Sequence, residues 1–281
     1  MKNLQFTSPV FIIAYKELRD SLRNRWVLFM GSIFMLLSLS ITFAGSAVTG
    51  DIALPPLANL MSSLSTTAVF IIPLAAILLS YDSFVGEQEA GTLLLLLSYP
   101  ISRRQILVGK LLGHGLIMFI TTSCAFGSTA VLLLAVGNQY SMVEVLSAFM
   151  QFVISSNLLA LTFVLLGYIV SLRATEKAKA VAGLLFMWFM LVLIYDLLLL
   201  TVLVSDVGVI DKQLLNILIA LNPTDLYRAI NLISIDAHRS GSALSMIGDI
   251  DLGLSVMYLL MFGWISGLLV ISQRIFNHKP L

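Results

Sequence analysis

The chain has 281 residues, of which 59% are hydrophobic and only 11% charged, with a formal net charge of +1. A soluble domain carries roughly 25% charged residues, so this chain cannot keep its surface wet and takes lipid as its solvent; its near-zero net charge says nothing about nucleic acid, which is not expected as a partner. The single cysteine, Cys124, excludes an internal disulfide, and one Cys with three scattered His forms neither a CxxC nor an HExxH spacing.

Residues 9–25 read as an amphipathic helix. Ser8 can cap it and Pro9 suits its first position. Phe11, Tyr15, Leu18 and Leu22 fall on one face, and Lys16, Arg19, Asp20 and Arg23 on the other. This pattern suits a helix lying in the membrane interface, its basic face toward headgroups or a partner. A plain anchor before the first span would read the same way. The first 26 residues are too polar for a signal peptide.

Six apolar runs follow, near 27–47, 60–82, 108–136, 147–171, 180–204 and 251–272. Each matches the roughly 20 residues a helix needs to cross a 30 Å hydrocarbon core, and each far exceeds the roughly 10 residues of a membrane strand. The expected fold is therefore an all-α integral membrane protein with six transmembrane helices. Basic residues set the orientation. Thirteen of the sixteen Lys and Arg fall in the N-terminal segment, the loops 2–3 and 4–5, and the C-terminal tail. Only Lys212, Arg228 and Arg239 fall on the other side, with eight acids. Both termini are expected in the cytoplasm.

Between spans two and three, residues 86–113 read GEQEAGTLLLLLSYPISRRQILVGKLLG. Glu87 and Glu89 stand at a membrane exit. Gly91 interrupts the chain, Thr92 can cap an apolar turn, and Pro100 breaks it. Ser102 with Gln105 makes a capping-box pattern that opens the third span. A short helix with capped ends outside the bilayer is what a mechanical contact to a soluble partner needs. Glu87, Glu89, Arg103 and Arg104 are the charges expected there for pairing. His114 and Asp82 read as residues near this end that reach water.

Within the spans, Asp196 beside Tyr195 is the one deep acid. A charge at that depth costs at least about 2.5–3.5 kcal/mol, so it either faces a polar route or is hydrogen-bonded and protonated between helices. Serines and threonines enrich the third span (Thr121, Thr122, Ser123, Ser128, Thr129) and the outer part of the second, and interhelical hydrogen bonding explains them best. Twelve Met invite a soft-metal reading, but they are dispersed, and Met ordinarily fills apolar space. Gly109-x-x-x-Gly113 and Gly263-x-x-x-Gly267 permit close helix approach.

Residues 205–250 form the long outer segment. Two apolar stretches too short to span, 212–221 and 224–234, flank Asn222-Pro223-Thr224-Asp225. Asn222 can cap, Pro223 starts a helix and Asp225 favours its positive end. Two short helices are expected here, as a gate, a docking surface that includes Arg228, or packing.

The segment from Glu87 onward resembles the ABC-2-type permeases. That family carries an acid-x-acid pair, Gly-Thr-Leu, a leucine-rich turn, Pro, Ser-Arg and a Lys opening the next helix. Here these are Glu87-x-Glu89, Gly91-Thr92-Leu93, Pro100, Ser102-Arg103 and Lys110. Leu94 and Leu95 stand where many members carry an acid. The leucine run, GKLLGHG and NPTDLYR at 222–228 are closest to the branch that serves nitrous oxide reductase maturation. The resemblance implies a single transmembrane domain over 1–281, with 86–107 as the coupling segment. It implies two copies of the chain with two cytoplasmic ATPase subunits, which hold ATP and Mg, and a periplasmic accessory protein. It implies export of a sulfur species, or copper with it, toward the reductase's copper centres. The chain itself has no GxxxxGK[ST] loop and no nucleophile–base constellation, so it reads as a non-enzyme with no cofactor of its own. An ABC-2 exporter of a drug, lipid or other small molecule, and a secondary transporter, are the competing readings.

Overall fold

The computed structural model describes residues 8–23, 25–49, 54–136, 140–204, 212–233 and 253–279, and among these every regular element is helical. In chain order these are α1 (Pro9–Arg23), α2 (Arg25–Thr49), α3 (Leu57–Ser80), α4 (Val85–Glu89), α5 (Thr92–Ser98), α6 (Arg103–Val136), α7 (Met142–Arg173), α8 (Lys177–Trp188), a π-helical turn (Phe189–Ile194), α9 (Tyr195–Val204), α10 (Lys212–Leu221), α11 (Pro223–Ile233) and α12 (Leu254–His278). Five helical runs are long and apolar enough to cross a membrane: Leu57–Glu89, Arg103–Val136, Met142–Arg173, Lys177–Thr201 and Leu254–His278. A sixth appears if Pro9–Arg23 and Val27–Phe43, bent by 69°, count as one span. The parts of the expected outer segment at 205–211 and 234–250 lie outside the described residues, as does the start of the last expected span, 251–252.

Helix α7 is the post of the bundle, packed by α3, α6, α11 and α12. Its contact with α3 is close because Gly167 leaves room for Ser80, whose Oγ lies 2.0 Å from where a Cβ would stand. Both ends of the described chain meet at one end of the bundle, called here the basic end. There α1 lies along the start of α6, and the last turn of α12 meets Arg103.

A helix forms over Pro9–Arg23, and a narrow stripe of it faces the protein. Phe11, Ile12, Tyr15 and Leu22 are exposed, while Ile13, Ala14 and Ser21 are buried. The reason is the platform on α6. A Cβ at Gly109 would stand 2.8 Å from the Ile13 Cβ and 2.9 Å from the Val10 carbonyl; one at Gly113 would stand 2.6 Å from the Glu17 Cβ and 2.9 Å from the Ala14 carbonyl. These two glycines let α1 rest on the α6 backbone, and α1 turns Val10, Ile13, Ala14 and Glu17 toward them. Gly263 and Gly267 on α12 meet nothing within 4 Å.

The polar stripes of the spans are largely closed on themselves. Thr66, Thr67, Thr122 and Thr129 donate to carbonyls four residues back, on Ser62, Ser63, Met118 and Ala125. Asn157 adds an interhelical bond to Thr122 at 3.0 Å.

The glycine contrast gives a test. Gly113→Ala should destabilise the chain by about 1–3 kcal/mol, the usual cost of forcing extra atoms into a filled contact, whereas Gly263→Ala should be silent. Thermal unfolding of the two purified variants in detergent, with a spin-label distance from α1 to α6, reads both effects.

Candidate functional site

Two clusters of polar groups occupy opposite ends of the bundle. At the basic end, the segment between the second and third spans folds as helix, turn, short helix and capped helix. Gly91 sits at φ 70°, the left-handed region that only glycine adopts without strain, and it reverses the chain between α4 and α5. Gly91 itself is therefore the residue before α5, and Thr92 does not cap it; the Thr92 hydroxyl donates back to the Glu87 carbonyl at 3.2 Å. The capping box forms as the spacing requires. The Ser102 N–H donates to Gln105 Oε1 at 2.9 Å, and the Gln105 N–H to Ser102 Oγ at 3.2 Å.

The four charges expected to face a partner divide. Arg104 is exposed. Glu89 is exposed too, yet its Oε1 accepts the Lys177 N–H at 2.8 Å and so caps α8. Arg103 donates to the carbonyls of Phe276, Asn277 (3.0 Å) and Lys279 (3.1 Å), closing the C-terminal end of α12. Glu87 turns inward. Its Oε1 lies 2.8 Å from Lys110 Nζ, and Lys110 is only 2% exposed. Glu17 of α1 completes the grip on Lys110 at 2.9 Å, with Lys16 3.5 Å from Glu87. The α5 turn instead presents Leu94, Leu95 and Tyr99 outward with Pro100 and Arg104 beside them.

His114 belongs to this cluster and is buried, against the expectation that it reaches water. Its Nδ1 lies 2.6 Å from the Tyr168 hydroxyl and its Nε2 3.6 Å from Glu17. The signal was present in the spacing: Lys110 and His114 are four residues apart and so share one helix face. What the sequence could not give is Glu17, ninety-three residues from Lys110. Burial pushes the Glu17 carboxyl upward, but His114, Lys110 and Lys16 outweigh it and hold it well below the ordinary carboxylate range. Asp82 stays at the rim, 3.7 Å from Lys177. Beside the cluster opens a cavity of about 590 Å³ between α1, α2, α3, α4, α6 and α8. No group of three or more metal-ligating side chains occurs among the described residues.

At the opposite end, Asp196 is paired rather than solitary. The structure brings it to Arg228, whose Nη1 donates to Asp196 Oδ1 and, at 3.3 Å, to Asp225 Oδ1. Arg228 is 9% exposed, Asp196 43% and Asp225 5%. Asn222 acts as expected of a cap: its Oδ1 accepts the Thr224 N–H at 3.1 Å, and Pro223 opens α11. It also does more. Asn222 Nδ2 donates to the Leu191 carbonyl at 2.9 Å, where Thr224 Oγ1 donates too at 3.3 Å. Leu191 lies in the π-helical turn of the fifth span, a feature the sequence did not disclose. Tyr195, just past that turn, donates to the Leu218 carbonyl of α10 at 2.7 Å. Asn222, Asp225 and Arg228 therefore clamp α10 and α11 to the fifth span.

A scan against family models matches residues 11–281 to the ABC-2 family transporter protein. The chain belongs to the ABC-2 transporter family. Two curated ABC-2 relatives align over 97% of this chain and 99% of their own lengths. One, from Pseudomonas aeruginosa, is 43% identical over 272 residues, and one from Stutzerimonas stutzeri is 41% identical over 277. Both carry the name "Probable ABC transporter permease protein NosY". As an ABC-2 permease the chain is a multi-pass protein of the bacterial inner membrane and works with ATPase partners.

The far-end clamp carries a pH signature. Burial pushes the Asp225 carboxyl up to about 6, against the opposing pull of Arg228. The folded chain thus keeps a proton that the unfolded chain releases near 4. This group's contribution to stability should therefore fall as pH rises from about 4 to about 6. Asp225→Asn should flatten that slope, read as the unfolding midpoint of the purified chain against pH.

Proposed function

We propose that this chain is the permease subunit of an ABC transporter that matures nitrous oxide reductase, exporting a sulfur species, or copper with it, for the enzyme's copper centres. The observation that carries this reading is end-to-end identity of 43% and 41% with two proteins bearing the NosY name. Two copies of the chain pair with two cytoplasmic ATPase subunits that hold ATP and Mg. The basic end faces the cytoplasm, as the distribution of Lys and Arg requires, and a periplasmic accessory protein docks at the far end on the segment around Asn222, Pro223, Asp225 and Arg228.

In this reading residues 86–107 are the coupling segment. Its outward face is mainly apolar, with Leu94, Leu95 and Tyr99 exposed, so a groove on the ATPase binds it by burial as much as by charge. Glu89 and Arg104 add exposed charges that set register, each pair contributing about 0–1 kcal/mol. Glu87 acts from inside, linking the segment to α1 and α6 through Lys16 and Lys110.

Two experiments test this. Deleting the gene in a host that expresses the reductase should leave reductase protein that lacks the visible absorption of its copper–sulfide centre; fully loaded enzyme would refute the assignment. Leu94→Asp with Leu95→Asp should leave ATP hydrolysis by the ATPase running while export stops, measured as maturation per ATP consumed. Unchanged coupling in that variant would remove residues 86–107 from the drive path.

A further inference from the structure

The cavity at the basic end is built in two zones. One wall is apolar, formed by Val27, Met30, Phe34, Leu78, Leu79 and Ile117. The rim is polar and charged, with four carboxylates, Glu17, Asp20, Asp82 and Glu87, against Lys110, Lys177 and His114, and Lys16 beside it lies 3.3, 4.0 and 3.5 Å from Glu17, Asp20 and Glu87. All three lysines are engaged by those carboxylates, Lys110 between Glu17 and Glu87 and Lys177 at 3.7 Å from Asp82, which leaves one more carboxylate than ammonium. The rim therefore has acceptors in excess. Glu87 Oε2 is buried and accepts no hydrogen bond from the described residues, and a buried carboxylate oxygen without a donor costs free energy until one arrives.

We propose that this cavity seats a bilayer aminophospholipid, its primary ammonium on the acidic rim and the start of its acyl chains along the apolar wall. Four observations select that ligand. The volume, about 590 Å³, lies in the range of sites that bind small molecules. The rim sits at headgroup depth, because α1, which supplies Glu17 and Asp20, exposes Phe11, Ile12, Tyr15 and Leu22 on its other side, the side chains of an interfacial helix. A primary ammonium brings three donors to the acceptor excess, including Glu87 Oε2, in charge-assisted hydrogen bonds. The half-exposed Lys177, held only at 3.7 Å, is placed to meet the phosphate. A choline headgroup offers no N–H, and a glycerol headgroup offers no positive charge. The proposal does not depend on the cargo or on the nitrous oxide reductase assignment.

The test is native mass spectrometry of the full chain in detergent with phosphatidylethanolamine, phosphatidylcholine and phosphatidylglycerol of matched acyl chains. Phosphatidylethanolamine should be retained about tenfold better than either, a difference within reach of one or two charge-assisted hydrogen bonds. Asp20→Asn with Glu87→Gln should reduce that preference to the phosphatidylcholine level. Because Glu87 also holds Lys110, a second variant leaves the charges intact: Leu78→Trp fills the apolar wall and should lower retention of phosphatidylethanolamine with an unchanged circular-dichroism spectrum. Equal retention of the three lipids by the wild-type chain, or full retention by the Trp variant, would overturn the proposal. So would displacement by dodecylamine at equal concentration, which would make the site one for soluble amines instead.

Discussion

Lys110 is an ammonium at the mouth of a membrane bundle with almost no access to water, and much of the basic end is arranged around that fact. A buried charge of this kind persists only when paired and hydrogen-bonded. Its two carboxylates come from different elements, Glu17 from α1 and Glu87 from α4, so satisfying one charge joins three pieces of chain. Removing either partner leaves the other charges stranded, at a cost of about 3–5 kcal/mol for a well-buried pair. The glycines at 109 and 113 are part of the same arrangement. They flank Lys110 on α6 and admit α1 closely enough for Glu17 to reach it.

The same end shows a second economy, in how helix termini are closed. Short helices leave many backbone groups without partners, and here side chains from other elements supply them. Ser171 of α7 accepts the N–H groups of Phe84 and Val85 at 3.1 and 3.0 Å and so caps α4. Glu89 caps α8, Arg103 closes the end of α12, and Lys279 donates to the Leu172 carbonyl at the end of α7 at 2.7 Å. Each cap is also a tie between elements. Residues 86–107 are consequently not a free loop but a piece of the bundle's frame, which suits the coupling role proposed for them.

The sequence disclosed what periodicity and punctuation can carry. The apolar runs located the long helices, Gly91 and Pro100 marked the turns of residues 86–101, and the Ser102–Gln105 box formed as read. What it missed depends on distance along the chain. The stripe of α1 that faces the protein was not legible, because contact with Gly109 and Gly113, about a hundred residues away, decides it. Glu87 and Arg103 read as surface charges because nothing local reveals a Lys110 or an α12 carbonyl to receive them. Asp196 was visible as an anomaly, and its partner Arg228 was visible as part of a motif. Joining them required the fold that lays α11 across the fifth span.

The wide turn at Phe189–Ile194 shows the same dependence from the other direction. Its residues, FMLVLI, contain neither proline nor glycine and are ordinary helix formers inside a membrane. The bonds that Asn222 and Thr224 give to Leu191 come from outside the helix, from a motif some thirty residues later. The pitch of the fifth span is thus written partly in another segment of the chain, and a peptide of that span alone would have no reason to coil with anything but an even α-helical rise.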